Sequence, residues 1–374
     1  MFDFGNEKVG KTVVTIASII ETIFIGIVGG VVFNLLDLPL AWMLGPLTSV
    51  LLYQTFTKRS LNWPISFRNS GQLLLGYSMG LSFTVESGRR IITQLPSMFL
   101  STVAMIGLCL AVAFFVAKIT DINLPSSVMG TTPGGLTQMV LLSEEIKGAD
   151  QTIVTFMQTI RMLAVIFLVP TIVFHSAGNE IVQVTKPIES GSFTQLTLAN
   201  GMLVLIILLI VASLAVKFKF PTPWIVGPLL TSAILTVTGW NPPHLPQTMI
   251  ILAQFCMGVY LGLGIKFHAL GNWKALLPYS IVAGVIIVFF SFVVSYILTL
   301  IHPMSLSTAF LSIAPGGLPE MGVTAHAVNA DVSIVTAYQL FRILFILFIV
   351  PLFFRWFFGR STVVGLGEKE KHLN

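Results

Sequence analysis

Of the 374 residues only 9% are Asp, Glu, Lys or Arg, 55% are hydrophobic, and the formal net charge is +5. An ordinary soluble domain carries about 25% charged residues, so a water-facing globular surface cannot be made from this chain. Most of the few basic residues stand in loops, which fits positive charge retained on one side of a membrane and excludes a basic module that enters a nucleic-acid groove.

The apolar residues fall in blocks of roughly 20, the length that crosses a hydrocarbon core as helix. In chain order they are Val13–Leu36, Leu38–Phe56, Gly71–Ser87, Leu95–Ala117, Pro125–Ile146 and Ile153–Phe174, then Leu196–Val216, Trp224–Gly239, Met249–Ile265, Leu276–Ile301, Ser305–Val328 and Val332–Phe358. Lys8 and Lys11 before the first block imitate a signal peptide, but that block has a counterpart deep in the chain and reads as a retained helix. The longest polar stretch, His175 to Gln195, cannot bury a core of its own. The two cysteines, Cys109 and Cys256, lie inside apolar blocks as small packing residues.

The chain matches itself 182 residues on. Trp42, Gly45 and Pro46 return as Trp224, Gly227 and Pro228. Gln72, Gly76 and Gly80 return as Gln254, Gly258 and Gly262, and Pro133-Gly134-Gly135-Leu136 as Pro315-Gly316-Gly317-Leu318. One deleted residue then shifts the spacing to 181, where Asp150 meets Asp331, Arg161 meets Arg342 and Pro170 meets Pro351. So many Gly, Pro and Arg identities in one register mark a duplicated module. The expected organisation is a first membrane copy over 1–175, a polar linker over 176–195, a second copy over 196–358 and a cytoplasmic tail over 359–374.

Positive charge gives the orientation. Lys8 and Lys11 place the N-terminus inside; Lys58, Arg59 and Arg68 mark an inside turn whose counterpart around Asn241 to Gln247 has no Lys or Arg. Lys217 and Lys219 read inside where the first copy has Asp37. Lys266 and Lys274 read inside, His302 outside, and Arg355, Arg360, Lys369 and Lys371 inside again. Two apolar blocks between His302 and Arg355 must then make one crossing. Ser305–Val328, and Pro125–Ile146 by symmetry, therefore read as re-entrant or broken elements. The expected fold is an all-α polytopic membrane protein of two inverted copies with about 10 crossings and two broken helices, both termini cytoplasmic in the cell membrane. Arg89 and Arg90 run against this charge pattern.

The Pro-Gly-Gly segments interrupt helix at membrane depth, Pro by removing a donor and Gly by admitting left-handed backbone. Unpaired backbone there survives only beside protein or a watery cavity, the arrangement secondary transporters use for substrate and coupling ion. The candidate binding residues are Pro133, Gly134, Gly135 and Gln138 with Thr155, Gln158 and Arg161, and in the second copy Pro315, Gly316, Gly317, Glu320 and His326 with Thr336, Gln339 and Arg342. Steps of three put each Thr, Gln and Arg trio on one helical face. Each guanidinium either binds an anionic group or holds the end of the opposite broken helix. Glu144 and Glu145 follow the break in copy one, whereas Glu320 and His326 follow it in copy two, an asymmetry suited to a proton site. Asp150 and Asp331 read as helix N-caps. Trp42, Gly45, Pro46, Trp224, Gly227 and Pro228 read as structural, through close packing or a second break. The six histidines show no metal-ligand spacing, and no nucleophile-elbow or phosphate-loop pattern occurs.

At these residues the sequence resembles the AbrB membrane family, a duplicated hydrophobic module with Trp-x-x-Gly-Pro and Pro-Gly-Gly elements, over about Ile20 to Pro351. Its members are labelled AbrB family transcriptional regulators, regulators of gene expression or ammonia monooxygenases, and the resemblance implies such a label here. The small soluble DNA-binding regulator of the same name has no likeness to this chain. The family supplies no catalytic residues to carry over.

The leading expectation is a secondary transporter, not an enzyme, moving a small, plausibly anionic solute by alternating access at the breaks. A membrane regulator or sensor acting on gene expression indirectly is the first rival, and a monooxygenase with a copper or iron site the second. The expected partners are the lipid bilayer, the solute and a coupling proton or cation, with self-association left open and no direct contact with nucleic acid. No cofactor or metal is expected.

Overall fold

The computed structural model describes residues 4–59, 61–120, 122–176, 198–218, 220–240, 242–265 and 273–371, and every regular element among them is a helix. The first copy holds α1 (Phe4–Leu35), α2 (Ala41–Thr57), α3 (Ile65–Gly80), α4 (Val85–Ile119), α5 (Leu124–Thr131), α6 (Leu136–Glu145) and α7 (Gln151–Ser176). The second holds α8 (Leu198–Lys217), α9 (Pro223–Val237), α10 (Gln247–Gly264), α11 (Trp273–Ile301), α12 (Leu306–Ile313), α13 (Leu318–Ala327) and α14 (Val332–Lys371). In both, a short broken pair sits between two long helices. The linker expected at 176–195 lies almost wholly outside the described residues.

Among the described residues six helices carry stretches long and apolar enough to cross a membrane: Ile16–Leu35, Val85–Ile119, Gln151–Ser176, Gln247–Gly264, Leu276–Ile301 and Val332–Phe358. Gly201–Lys217 and Pro223–Val237 are shorter apolar helices. Large side chains on their outer faces, among them Phe24, Leu100, Phe114, Phe289 and Leu352, are exposed. So much apolar surface is paired with lipid tails rather than water.

The chain gathers into two compact units, each drawing on both copies. The first comprises Met1–Glu86, Phe174–Ala269 and Gly322–Asn329; the second Ser87–Val173, Leu270–Met321 and Ala330–Asn374. Small residues set the packing of the first unit, because apolar helices gain nothing from hiding carbon in lipid and must approach closely to gain dispersion energy. Gly29 on α1 meets Gly45 on α2, and Gly227 on α9 meets the backbone of Ala212 on α8. The Gly-Pro elements are thus close contacts; α2 and α9 run unbroken through Pro46 and Pro228.

The copies also interlock crosswise in this unit. Gly76 and Gly80 on α3 lie against the carbonyls of Ile225 and Leu229 on α9, while Gly258 and Gly262 on α10 lie against those of Met43 and Leu47 on α2. Both Gly-Pro helices start from a left-handed residue that is not glycine, Leu40 (φ 50°) and Thr222 (φ 44°), so each entry carries local strain that the packing must hold.

In the second unit α4, α11, α12 and α14 share a core of Met98, Met105, Cys109, Ile287, Leu298, Ala309, Ile313, Ile334 and Tyr338. Around the other broken pair, Ala113 of α4, Val128 and Met129 of α5, Met139 and Leu142 of α6, Val154 of α7 and Phe354 of α14 form a second core. Each broken pair is therefore walled by long helices, which shields its loose ends from lipid.

Replacing Gly258 by Leu should destabilise the protein by about 1–3 kcal/mol, since the new side chain must push a backbone carbonyl away rather than a flexible neighbour. A Cβ at Gly107 of α4 meets nothing within 4 Å, so Gly107→Ala should leave the thermal unfolding midpoint in detergent unchanged or raise it.

Candidate functional site at the broken helices

Asn123 caps α5 by accepting the Ser126 N–H on its side chain at 3.1 Å, and Ser305 caps α12 by accepting the Thr308 N–H at 3.2 Å. Both helices last only eight residues, because Pro133 and Pro315 drive the residue before them out of helical geometry. Thr132 (ψ 129°) and Ala314 (ψ 130°) take the extended conformation accordingly. In each break the amide of the first glycine turns back on the chain: Gly134 N–H donates to Thr132 O and Gly316 N–H to Ala314 O, both at 2.8 Å.

The expected left-handed glycines are absent. Among the described glycines only Gly148 and Gly239 have positive φ, and Gly135 stands at φ −62°. What the breaks need from glycine is space: side chains at 134 and 316 would collide with Met139 and Met321, and one at 317 with the Glu320 carboxylate.

A helix ended this abruptly leaves carbonyls without intrahelical donors. Gln158 of α7 answers in copy one, its Nε2 donating to Met129 O (2.6 Å) and Thr132 O (2.8 Å). Gln339 of α14 does the same in copy two, with Nε2 donating to Leu311 O (2.7 Å) and Ala314 O (3.0 Å). Both glutamines are fully buried.

The two arginines then diverge. Arg342 spends its guanidinium on the break, Nη1 donating to Ile313 O (3.0 Å) and Ala314 O (2.8 Å) and Nη2 to Gly316 O (3.0 Å) and to Gln339 Oε1. Arg161 donates from Nη2 to Gln158 Oε1 at 2.6 Å, and its Nε and Nη1 are buried with no hydrogen-bond partner among the described residues. Of the two roles expected of the arginines, binding an anionic group or holding the end of the opposite broken helix, Arg342 follows neither as stated. It holds the end of its own copy's broken helix, because α12 and α14 pack side by side and the long helix places Arg342 one turn beyond Gln339.

Both guanidinia are 6% exposed, and among the described residues neither has a carboxylate within ion-pair distance. They lie within each other's electrostatic reach, with the Cys109 thiol near both. A concentration of positive charge in an apolar wall favours an anion.

Asp150 accepts the N–H groups of Thr152 (2.8 Å) and Ile153 (3.2 Å), and Asp331 those of Ser333 (3.1 Å) and Ile334 (3.2 Å), which makes both N-caps of the long helices. Each is also tied to its short helix, Asp150 N–H donating to Ser126 Oγ (2.6 Å) and Asp331 N–H to Thr308 Oγ1 (3.0 Å). Glu320 is buried and folds over Gly317 at the start of α13, as the half-buried Gln138 folds over Gly135. Thr155 is half-buried and returns its hydroxyl to Gln151 O, while Thr336 is fully buried. His326 belongs to the first unit and is exposed. Glu145 pairs with Arg355 at 2.7 Å where both are about half exposed, and Glu144 accepts from Gln151, so neither joins the buried centre.

Sequence reasoning missed Asn123, Ser305, Ser126 and Thr308, although each pair keeps the spacing of the duplication. It also missed Gly284 of α11, where a Cβ would press on Ala164 beside Arg161 and which lets α7 and α11 approach.

An all-helical polytopic architecture with paired broken helices and buried arginines defines an integral membrane protein with a polar centre. Residues 42–358 match the family model described as transition state regulatory protein AbrB, and the chain belongs to the AbrB membrane family. YhjN of Bacillus subtilis (strain 168), an uncharacterized protein, is 26% identical over 357 residues, spanning 89% of this chain and 91% of that protein. A protein of Escherichia coli (strain K12) named as regulator AbrB is 23% identical over 319 residues, spanning 85% of this chain and 90% of its own length.

Arg342→Gln should cost about 3 kcal/mol, because it strips charged donors from buried carbonyls. Arg161→Gln removes a buried charge with few partners and should change stability by less than about 1 kcal/mol or raise it. The Glu145→Ala variant, which breaks an exposed ion pair, should fall within about 1 kcal/mol of the parent. Unfolding midpoints of the three purified variants in one detergent check the order.

Proposed function

We propose that this protein is a secondary transporter that moves a small anionic solute by alternating access at its two broken helices. The observation that carries the reading is the pair of helix breaks at Thr132–Gly135 and Ala314–Gly317, each walled by long helices and faced by a buried glutamine and arginine. Broken helices leave dipole ends and spare backbone groups that can exchange partners with a solute, at a cost a purely structural membrane protein avoids.

The same reading takes the two copies as inverted, each with five crossings, and both termini as cytoplasmic. The crosswise contacts of α3 with α9 and of α10 with α2 support a two-fold relation between the copies. A coupling proton fits one chemical difference beside the break, the buried Glu320 where copy one has Gln138. A regulatory effect, suggested by the name of the Escherichia coli relative, would follow from the solute moved or sensed.

Uptake into proteoliposomes of purified protein tests the transport reading: a saturable flux of a small anion is expected, and its absence across carboxylate, phosphate and sulfate solutes would remove it. The inversion has its own test. Lys58 and Trp240 are exposed residues at matching places of the two copies. Single cysteines there, in a background without Cys109 and Cys256, should react with an impermeant maleimide from opposite sides; reaction from the same side would make the copies parallel.

A further inference from the structure

Arg161 and Arg342 hold matching positions in the duplication, yet their hydrogen bonds are unequal. The end of α5 carries Thr131 and Thr132, whose hydroxyls donate to nearby carbonyls: Thr131 to Cys109 O (3.1 Å) and Ser127 O (2.9 Å), and Thr132 to Val128 O (2.7 Å). At the end of α12 Ser312 likewise returns its hydroxyl to Thr308 O (2.7 Å), and Arg342 donates to the carbonyls of Ile313 and Ala314. At the end of α5 the carbonyls of Met129 and Thr132 are met by Gln158, and Arg161 keeps most of its own donors. A guanidinium has five N–H groups; in Arg161 the three on Nε and Nη1 are unpartnered, at 6% exposure.

We propose that Arg161 is the anion contact of the protein, taking the oxyanion group of a small solute, a carboxylate, phosphate or sulfate, while Arg342 is a fixed clamp on α12. The group Arg161 presents is suited to that class. Guanidinium N–H groups diverge in a plane that matches the oxygens of such anions. Gln158 fixes the orientation, since it accepts from Nη2 while its own Nε2 is anchored on the α5 carbonyls. The close approach of α7 to α11 at Gly284 confines the backbone of Arg161 from the other side. That the anion is the transported solute rests on the transport reading; that Arg161 binds it does not.

The test uses the full-length protein purified in an uncharged detergent, with sodium acetate, lactate, phosphate and sulfate as probes against sodium chloride at equal ionic strength. At least one probe should raise the thermal unfolding midpoint saturably. Arg161→Gln should abolish that response. Arg161→Lys, which keeps the charge but not the planar donors, should weaken the apparent affinity about tenfold or more. Arg342→Lys should start from a lower midpoint and keep the response. No response of the parent protein to any of the four probes, or an unchanged dose response in both Arg161 variants, would overturn the proposal. A second arm separates it from the transport reading, using the stabilising anion in radiolabelled form with proteoliposomes. Arg161-dependent binding without flux would uphold the anion site and remove transport. Flux with an unaltered KM in Arg161→Lys would uphold transport and remove Arg161 from the site.

Discussion

The structure turns on a handful of backbone carbonyls that have lost their helical donors inside an apolar surrounding. A peptide group left unpaired there costs several kcal/mol, so once Pro133 and Pro315 end α5 and α12 after eight residues, everything nearby must answer for the exposed ends. The long helices α7 and α14 do so by placing Gln158 and Gln339 opposite the breaks. The Asp caps of those helices are fastened in turn to Ser126 and Thr308 in the first turn of each short helix. Each short helix is thus tied at both ends to the long helix that follows it, and the gap between α5 and α6, or α12 and α13, is a defined element rather than a lapse in the helix.

Much of this was legible in the sequence. The 182-residue register located both breaks, and its 181-residue continuation paired Gln158 with Gln339, Arg161 with Arg342 and Asp150 with Asp331. Asp before a long apolar block reads correctly as an N-cap because the capping geometry is local. The register also contained the pairs Asn123 with Ser305 and Ser126 with Thr308, which went unread because they are not identities: Asn and Ser cap alike, as Ser and Thr hydroxyls accept alike.

What could not be read depends on non-local packing or on small backbone angles. Two identical Gln-x-x-Arg faces give no hint that one arginine is consumed and the other spared; that emerges only from how each guanidinium lies against the end of its short helix. The break glycines were expected to be left-handed, whereas they adopt ordinary angles and serve by lacking a side chain where Met139, Met321 and Glu320 need room. Left-handed backbone occurs instead at Leu40 and Thr222, residue types that disfavour it and so cannot be picked out by composition. Nor does hydropathy reveal that each compact unit draws on both copies, since the crosswise contacts of Gly76 with Ile225 and Gly258 with Met43 join residues far apart in sequence.

On the transport reading the breaks face water and a solute rather than sealed protein. Gly135 is exposed at the start of α6, and a side chain there would meet only the flexible Gln138. A single cysteine at this position, in protein lacking Cys109 and Cys256 and reconstituted in lipid vesicles, tests the claim most directly with a charged, membrane-impermeant thiol reagent. Modification is expected, slowed by a bound small anion; complete resistance from both faces of the membrane in correctly folded protein would contradict it.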